Sequence, residues 1–306
     1  MTLLVVEQAL NGLQFGLTLF LMTAGLTLTF GVMRVINLAH GSLYMAGAYV
    51  AAYISVASGS FALGIVAALA VSAVLGMLLE TGVFRALYQR DHLEQVLATF
   101  ALILLFNGCV GLVFGRRPFQ IEVPALFSGA VAFGPDFAYP KYRLALIGLG
   151  LAVAALLHFL IARTRFGMLV RAGSTHRDMV RALGVDLPLL YTLVFAFGAA
   201  LAGLAGAAIG PIQAVEVGMG DHIIVLAFVV IVIGGIGSVK GALTASLLVG
   251  LVETFGRTVV PPLLKTLVST TVASSIGAAI SATSVYVLMA LVLLIRPSGL
   301  FAPRSR

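Results

Sequence analysis

The 306-residue chain has no tryptophan, a single cysteine and very little charge. Each shortage excludes something. One cysteine, Cys109, cannot form an internal disulfide, and inside an apolar run it reads as a small packing residue. Charged residues make up 9% of the chain, against about 25% in ordinary soluble domains. With 61% hydrophobic residues and a mean hydropathy of +1.14, the polar side chains are too few to cover a water-soluble particle of this size. Without tryptophan, anchoring at a membrane surface falls to Tyr, Phe, Lys and Arg. A basic leader is missing too. The first charge is Glu7, and the apolar stretch behind it is too long for a signal-peptide core, so it reads as a retained first span.

What is present is a series of apolar runs along the whole length. Crossing about 30 Å of hydrocarbon takes about 20 apolar residues, and inside that layer the backbone must satisfy its own hydrogen bonds, so the runs are helices. Nine candidates stand at 9–33, 41–57, 60–80, 93–114, 144–162, 189–211, 222–236, 241–256 and 277–295. Three of them, 41–57, 222–236 and 241–256, are short, which leaves room for half-helices. The expected fold is therefore all-α: one polytopic membrane domain over 1–306 with about 8–10 transmembrane helices and a cytoplasmic coupling helix. The 34 glycines fall largely inside the runs, as at Gly198, Gly203 and Gly206, where they permit close helix approach.

The net charge of +7 would suggest an acidic partner in a soluble protein. No basic stripe is interleaved with aromatics, so nucleic acid is not expected as a partner, and the basic residues read as flanks that orient spans. If 163–188 is cytoplasmic, alternation puts 12 of the 18 Lys and Arg on that side, including Arg34, Arg85, Arg90, Lys240 and the tail from Arg296. The other six are Arg116, Arg117, Lys141, Arg143, Arg257 and Lys265. The bias predicts a cytoplasmic C-terminus and, with nine spans, an external N-terminus. The proline- and phenylalanine-rich stretch 115–143 is then an external loop, with room for a short interfacial helix. So is 257–276, where Pro261-Pro262 should stop a helix.

The loop 163–188 is the most informative segment. Ser174 or Thr175 can cap a helix, with Asp178 three residues after Thr175 as in a capping box. Met179, Val180 and Leu183 form an apolar stripe, Arg177 and Arg181 line another face, and Gly184 suits a left-handed C-cap. Two readings fit this short amphipathic helix: it lies among lipid headgroups, or it docks a cytosolic subunit. The pattern alone does not decide.

Several pieces together resemble one family. They are Gly31-Val-Met-Arg-Val-Ile-Asn-Leu-Ala-His-Gly-Ser42, Phe166-Gly through Ala182-Leu-Gly-Val185, Ile233-Gly-Gly-Ile-Gly-Ser238 with Gly241, and Ile295-Arg-Pro-Ser-Gly-Leu-Phe301. In order and spacing, over nearly the full chain, they resemble the branched-chain amino acid permeases of bacterial ABC importers, the LivH type. The resemblance implies a pore-forming subunit of the inner membrane. Its partners would be a second, related permease, two cytosolic ATP-binding subunits and a periplasmic substrate-binding protein. It also implies an ATPase-docking helix from Arg177 to Gly184. The residues expected to couple to the ATPase are Arg171, Ser174, Arg177, Asp178, Met179, Arg181, Leu183 and Gly184. The family's common cargo is leucine-type amino acids, while relatives carry urea, other amino acids or small organic acids.

Signs of enzyme chemistry are lacking. Gly234-Gly-Ile-Gly-Ser-Val-Lys240 departs from a phosphate loop, with Val239 where glycine is required and Gly241 after the lysine. No two of the histidines His40, His92, His158, His176 and His222 stand at metal-ligand spacing, and no G-x-S-x-G elbow occurs. No metal or other cofactor is expected. The competing reading is a channel or an ion-coupled carrier working alone, followed by a membrane-embedded enzyme. A carrier of that kind usually places Asp or Glu in mid-membrane, and the runs carry essentially none, with Glu253 near the end of a span. For the substrate pathway the polar breaks are the candidates: Asn37 and His40, with Gln213 and the run Gly234, Gly235 and Gly237. Exposed helix ends there could hold the charges of a zwitterion. The alternative is that Asn37 and His40 cap spans at the headgroups.

Overall fold

The computed structural model describes residues 2–134, 137–175, 177–265 and 269–301. His176 lies outside them, as do the side chains of Arg177 and Asp178. All nine apolar runs are helical. Among the described residues, seven helices are long and apolar enough to cross a membrane. They are α1 (Thr2–Met33), α3 (Phe61–Leu79, prolonged to Leu87), α5 (His92–Phe114), α6 (Lys141–Arg163), α9 (Leu187–Ile209), α11 (Val239–Leu264) and α12 (Thr270–Ile295). Between α3 and α5 lie a π-helical turn, Glu80–Phe84, and the short α4 (Arg85–Leu87). The two other runs are α2 (His40–Ser58) and α10 (Met219–Gly234), of 19 and 16 residues. At 1.5 Å per residue α10 spans about 24 Å, short of a full crossing. The molecule is a multi-pass, all-α membrane protein.

The helices sort into an inner and an outer set. The most apolar windows of α1 and α9 are 83% and 78% buried within the chain, while those of α3, α5, α6, α11 and α12 are 11–22% buried. The outer helices turn large apolar side chains such as Leu97, Phe100, Leu104 and Phe159 outward. Between helices in lipid there is little hydrophobic drive, so packing relies on close backbone approach. Glycine supplies it. A Cβ on Gly25 would overlap the Gly198 carbonyl, joining α1 to α9. One on Gly47 would overlap the Gly203 backbone, joining α2 to α9, and Gly12 and Gly250 join α1 to α11 in the same way.

Chain ends gather in two groups. At one end, Gly31 meets Gly237, Gly235 meets Gly299, the Ile36 N–H donates to Gln95 Oε1 (3.3 Å) and Arg85 Nη2 donates to Thr192 Oγ1 (2.9 Å). At the other, the Tyr139 hydroxyl and the Arg143 guanidinium both donate to Asn11 Oδ1, and the Tyr142 hydroxyl donates to the Ala208 carbonyl (2.7 Å).

Three local expectations change. Pro261-Pro262 does not stop α11, which runs on to Leu264. Both prolines sit in its last turn, where each gives up its own N–H bond to the turn before, and the Pro261 ring packs against Gly277 of α12. Among its described residues the stretch 115–143 holds no interfacial α-helix. It carries a 3-10 turn (Ala125–Phe127) and an antiparallel hairpin of β1 (Ala130–Gly134) and β2 (Phe137–Pro140), whose alternation of small and large side chains has the period of a strand. Among its described residues the basic loop is helical over Arg165–Thr175 (α7) and Arg177–Ala182 (α8).

Candidate functional site

α1 ends on Arg34, whose φ of +58° is the left-handed C-cap conformation usually left to glycine. The chain then turns back into the bundle through Val35–Ala39, and α2 starts at His40. Gln95 holds this return. Its Oε1 accepts from Ile36, and its Nε2 donates to the carbonyls of Leu87 (3.2 Å) and Arg90 (3.1 Å). On the other strand of the site, Gly218 (φ +88°) turns the chain into α10, and its N–H faces Met45 Sδ of α2 at 3.3 Å. Gly220 then meets Gly41 backbone to backbone, with no room for a Cβ on either. Two short helices thus bring their N-termini together inside the bundle. The positive ends of their dipoles converge there, with the N–H groups of Gly41, Ser42, Met219 and Asp221 bonded to carbonyls of the turns just before them.

The polar side chains at this junction are buried and unsatisfied. Asn37, His40 and Ser42 are exposed by 2%, 0% and 1%. Both amide atoms of Asn37, both ring nitrogens of His40 and the Ser42 hydroxyl have no hydrogen-bond partner among the described residues. The His40 ring faces the Met22 backbone without reaching hydrogen-bond geometry. A buried polar atom left unpaired costs about 1–3 kcal/mol. So many at one place make this junction the candidate site.

The sequence candidates divide. Asn37 and His40 sit together, buried inside the bundle. Gln213 is exposed in the turn after α9. Gly234, Gly235 and Gly237 lie at the far end of α10 from Gly220; a Cβ on Gly234 would meet Gly241 and one on Gly237 would meet Gly31, while Gly299 approaches the Gly235 backbone. Of the loop candidates, Gly184 has φ +80° and closes α8 through its N–H to the Arg181 carbonyl (3.0 Å). The Ser174 and Thr175 hydroxyls instead donate back to the Arg171 carbonyl at 2.8 and 3.0 Å, inside α7. A hydroxyl that donates can still accept, and the helix start at His176, where such a cap would act, lies outside the described residues. The Arg171 guanidinium donates to the Ile161 carbonyl. Met179 and Leu183 are 63% and 77% exposed, while Val180 is buried. Arg181 is exposed.

Two features escaped the sequence. Glu80 is fully buried, at the end of the bundle where Arg85 meets Thr192. Hydropathy ends the third run at residue 80, but the helical path continues to Leu87 and keeps Glu80 inside. Its carboxylate accepts from Arg85 Nε (3.2 Å), the Tyr88 hydroxyl (2.8 Å) and the Thr192 hydroxyl (2.6 Å), so it is engaged rather than open to a coupling ion. The second feature is a cavity of about 630 Å³ between the C-terminal part of α5 and the turn that leads into α10. Asn107, Leu112, Arg116, Glu216 and Val217 line it. Asn107 Nδ2 donates to Asp221 Oδ2 in the first turn of α10 (3.1 Å), and its buried Oδ1 has no partner.

Comparison with known proteins fits this arrangement. The chain is 28% identical over 309 residues to the high-affinity branched-chain amino acid transport system permease protein BraD of Pseudomonas aeruginosa, covering 96% of this chain and 94% of that one. It is equally similar, at the same coverage, to the permease protein LivH of the corresponding Escherichia coli K12 system. It is also 28% identical over 241 residues to a probable branched-chain amino acid transport permease protein LivH of Methanocaldococcus jannaschii, covering 77% and 76% of the two chains. No solved structure matches the chain. A family model for the permease component of branched-chain amino acid transport systems matches residues 8–295, and the chain belongs to that family.

Proposed function

We propose that this chain is the translocation subunit of an ATP-driven importer of the bacterial inner membrane, moving branched-chain or closely related amino acids. Similarity to amino acid permeases over 96% of its length carries the reading. In this reading a second, related permease completes the pathway, two ATP-binding subunits dock at the α7–α8 loop, and a periplasmic binding protein delivers cargo at the opposite end. The basic end, with the C-terminus, faces the cytoplasm. No enzyme activity is assigned to the chain, and ATP hydrolysis belongs to the partners.

The geometry supplies a route for coupling. α8 passes through Gly184 directly to Asp186, whose carboxylate caps α9 at the Leu189 N–H (3.1 Å). α9 in turn grips α2 through Gly203 and Gly206. A displacement of α8 by an ATPase subunit therefore pulls on the helix whose N-terminus abuts α10. Asn37 and His40 lie where that movement opens and closes a path. The outward Met179 and Leu183, with Arg181 beside them, offer the ATPase an apolar contact with a charged edge.

Proteoliposomes holding the assembled complex should take up leucine or a related amino acid only with ATP and the binding protein present. Robust uptake by this chain alone, driven by an ion gradient, would overturn the reading in favour of an independent carrier. Arg181→Glu should lower ATP-driven uptake by about tenfold or more, equivalent to about 1.4 kcal/mol of docking or coupling. Gly184→Pro should do the same, since proline cannot adopt φ +80° and removes the N–H that closes α8. Uptake and ATPase association at wild-type level in both variants would place α8 among the headgroups instead.

A further inference from the structure

We infer that the cavity between α5 and the α9–α10 turn is a binding site for a free α-amino acid with an aliphatic side chain, held as a zwitterion between Arg116 and Glu216. The inference rests on the permease reading above and adds a location and a set of recognising groups. Its volume of about 630 Å³ is within the range of small-molecule sites, roughly 300–1,000 Å³. The chemistry of the lining is unusual for this chain. Charge is scarce throughout, yet two residues of opposite sign, Arg116 and Glu216, border one cavity. Among the described ion pairs neither of them appears, so they do not neutralise each other.

A zwitterion satisfies both at once. Its carboxylate suits the forked guanidinium of Arg116, and its ammonium suits Glu216, each through charge-assisted hydrogen bonds. Asn107 borders the same cavity, its Nδ2 held by Asp221 Oδ2 (3.1 Å) and its Oδ1 without a partner. Leu112 and Val217 supply apolar wall for a branched side chain, and Gly108 and Gly111 keep the α5 side of the cavity open. An anion alone would leave Glu216 unmatched, and a cation alone would leave Arg116 unmatched. Such mismatches separate related ligands better than an apolar pocket does. The site also lies beside the helix junction: Glu216 and Val217 directly precede Gly218 and the start of α10.

The test uses the assembled complex in lipid nanodiscs with Cys109→Ser and Gly111→Cys, the new thiol serving as a maleimide target inside the cavity, where a side chain meets nothing within 4 Å. Leucine should slow labelling. Arg116→Gln and Glu216→Gln should each raise the half-protecting leucine concentration by about tenfold or more, as expected on losing one charge-assisted contact. 4-Methylpentanoate, which lacks the ammonium, should protect poorly, and Glu216→Gln should not weaken it further. 3-Methylbutylamine, which lacks the carboxylate, should show the same indifference to Arg116→Gln. That pairing of analogue with variant is not produced by a merely structural role. Labelling unaffected by 10 mM leucine, or half-protection within about twofold in both variants, overturns the site. Wild-type complex that shows this failure yet takes up leucine overturns the cavity alone. Wild-type complex that takes up no amino acid overturns the permease reading, and the cavity proposal with it.

Discussion

Valine at position 41 should abolish uptake, and a single methyl at the same place should nearly do so. A Cβ on Gly41 overlaps the Gly220 carbonyl, and one on Gly220 overlaps the Gly41 carbonyl. The obstructing atoms are backbone, which cannot swing aside as the tip of a side chain can. The N-termini of α2 and α10 must separate instead. Overpacking of this kind costs about 3 kcal/mol or more, at the upper end of its usual range. The separation also breaks the convergence of helix ends around Asn37, His40 and Ser42. The expected result for Gly41→Val is uptake below about 5% of wild type, with the protein inserted but its thermal midpoint in detergent lowered. Gly41→Ala should fall between. Gly148→Ala in α6 is the matched control, because nothing stands within 4 Å of its Cβ. There alanine should be neutral, or stabilising by up to about 1 kcal/mol through helix propensity. Wild-type uptake by Gly41→Val would show that the junction is not closed in the working protein.

The helices were legible in the sequence because hydrocarbon leaves the backbone few choices. Each apolar run had to be a helix, and each became one. Ends were harder. Pro261-Pro262 signals a stop by its local chemistry, and packing against Gly277 outweighs that signal. Hydropathy falls at Glu80 although the helical path continues, because a carboxylate met by Arg85, Tyr88 and Thr192 is compatible with burial. The polar break before α2 pointed to Asn37 and His40, and both are buried in the bundle. The same reasoning applied to Gly234, Gly235 and Gly237 selected glycines that neighbouring backbone approaches closely. Sequence shows that a glycine is present, and not whether the space beside it is a passage or another helix. Glu80 pairs with Thr192 across 112 positions and Asn107 with Asp221 across 114. No local pattern carries such pairs.

The Glu80 cluster leads to an expectation that runs against exposure. Arg85 has a side chain 44% exposed, while that of Glu80 is 0% exposed. By exposure alone, changing Arg85 should be the milder of the two. The electrostatics argue the reverse. Arg85→Ala leaves a carboxylate with no access to water, supported by the hydroxyls of Tyr88 and Thr192 alone, and an uncompensated buried charge of this kind costs about 3–5 kcal/mol. Glu80→Gln removes the charge and keeps an acceptor for both hydroxyls, while the half-exposed guanidinium of Arg85 can turn to solvent. That change should cost roughly 1–3 kcal/mol. In the double variant the buried charge is gone along with its partner, so the loss should fall well short of the Arg85→Ala loss. The measurement is the thermal midpoint of the purified chain in one detergent, with ATP-driven uptake recorded beside it. The expected order of destabilisation is Arg85→Ala first, then the double variant and Glu80→Gln close together. Because Thr192 begins the second turn of α9, just beyond the basic loop, Arg85→Ala should also lower uptake more than its loss of folded protein accounts for. A double variant no more stable than Arg85→Ala would show that the guanidinium acts by packing its stem against α9 rather than by balancing Glu80.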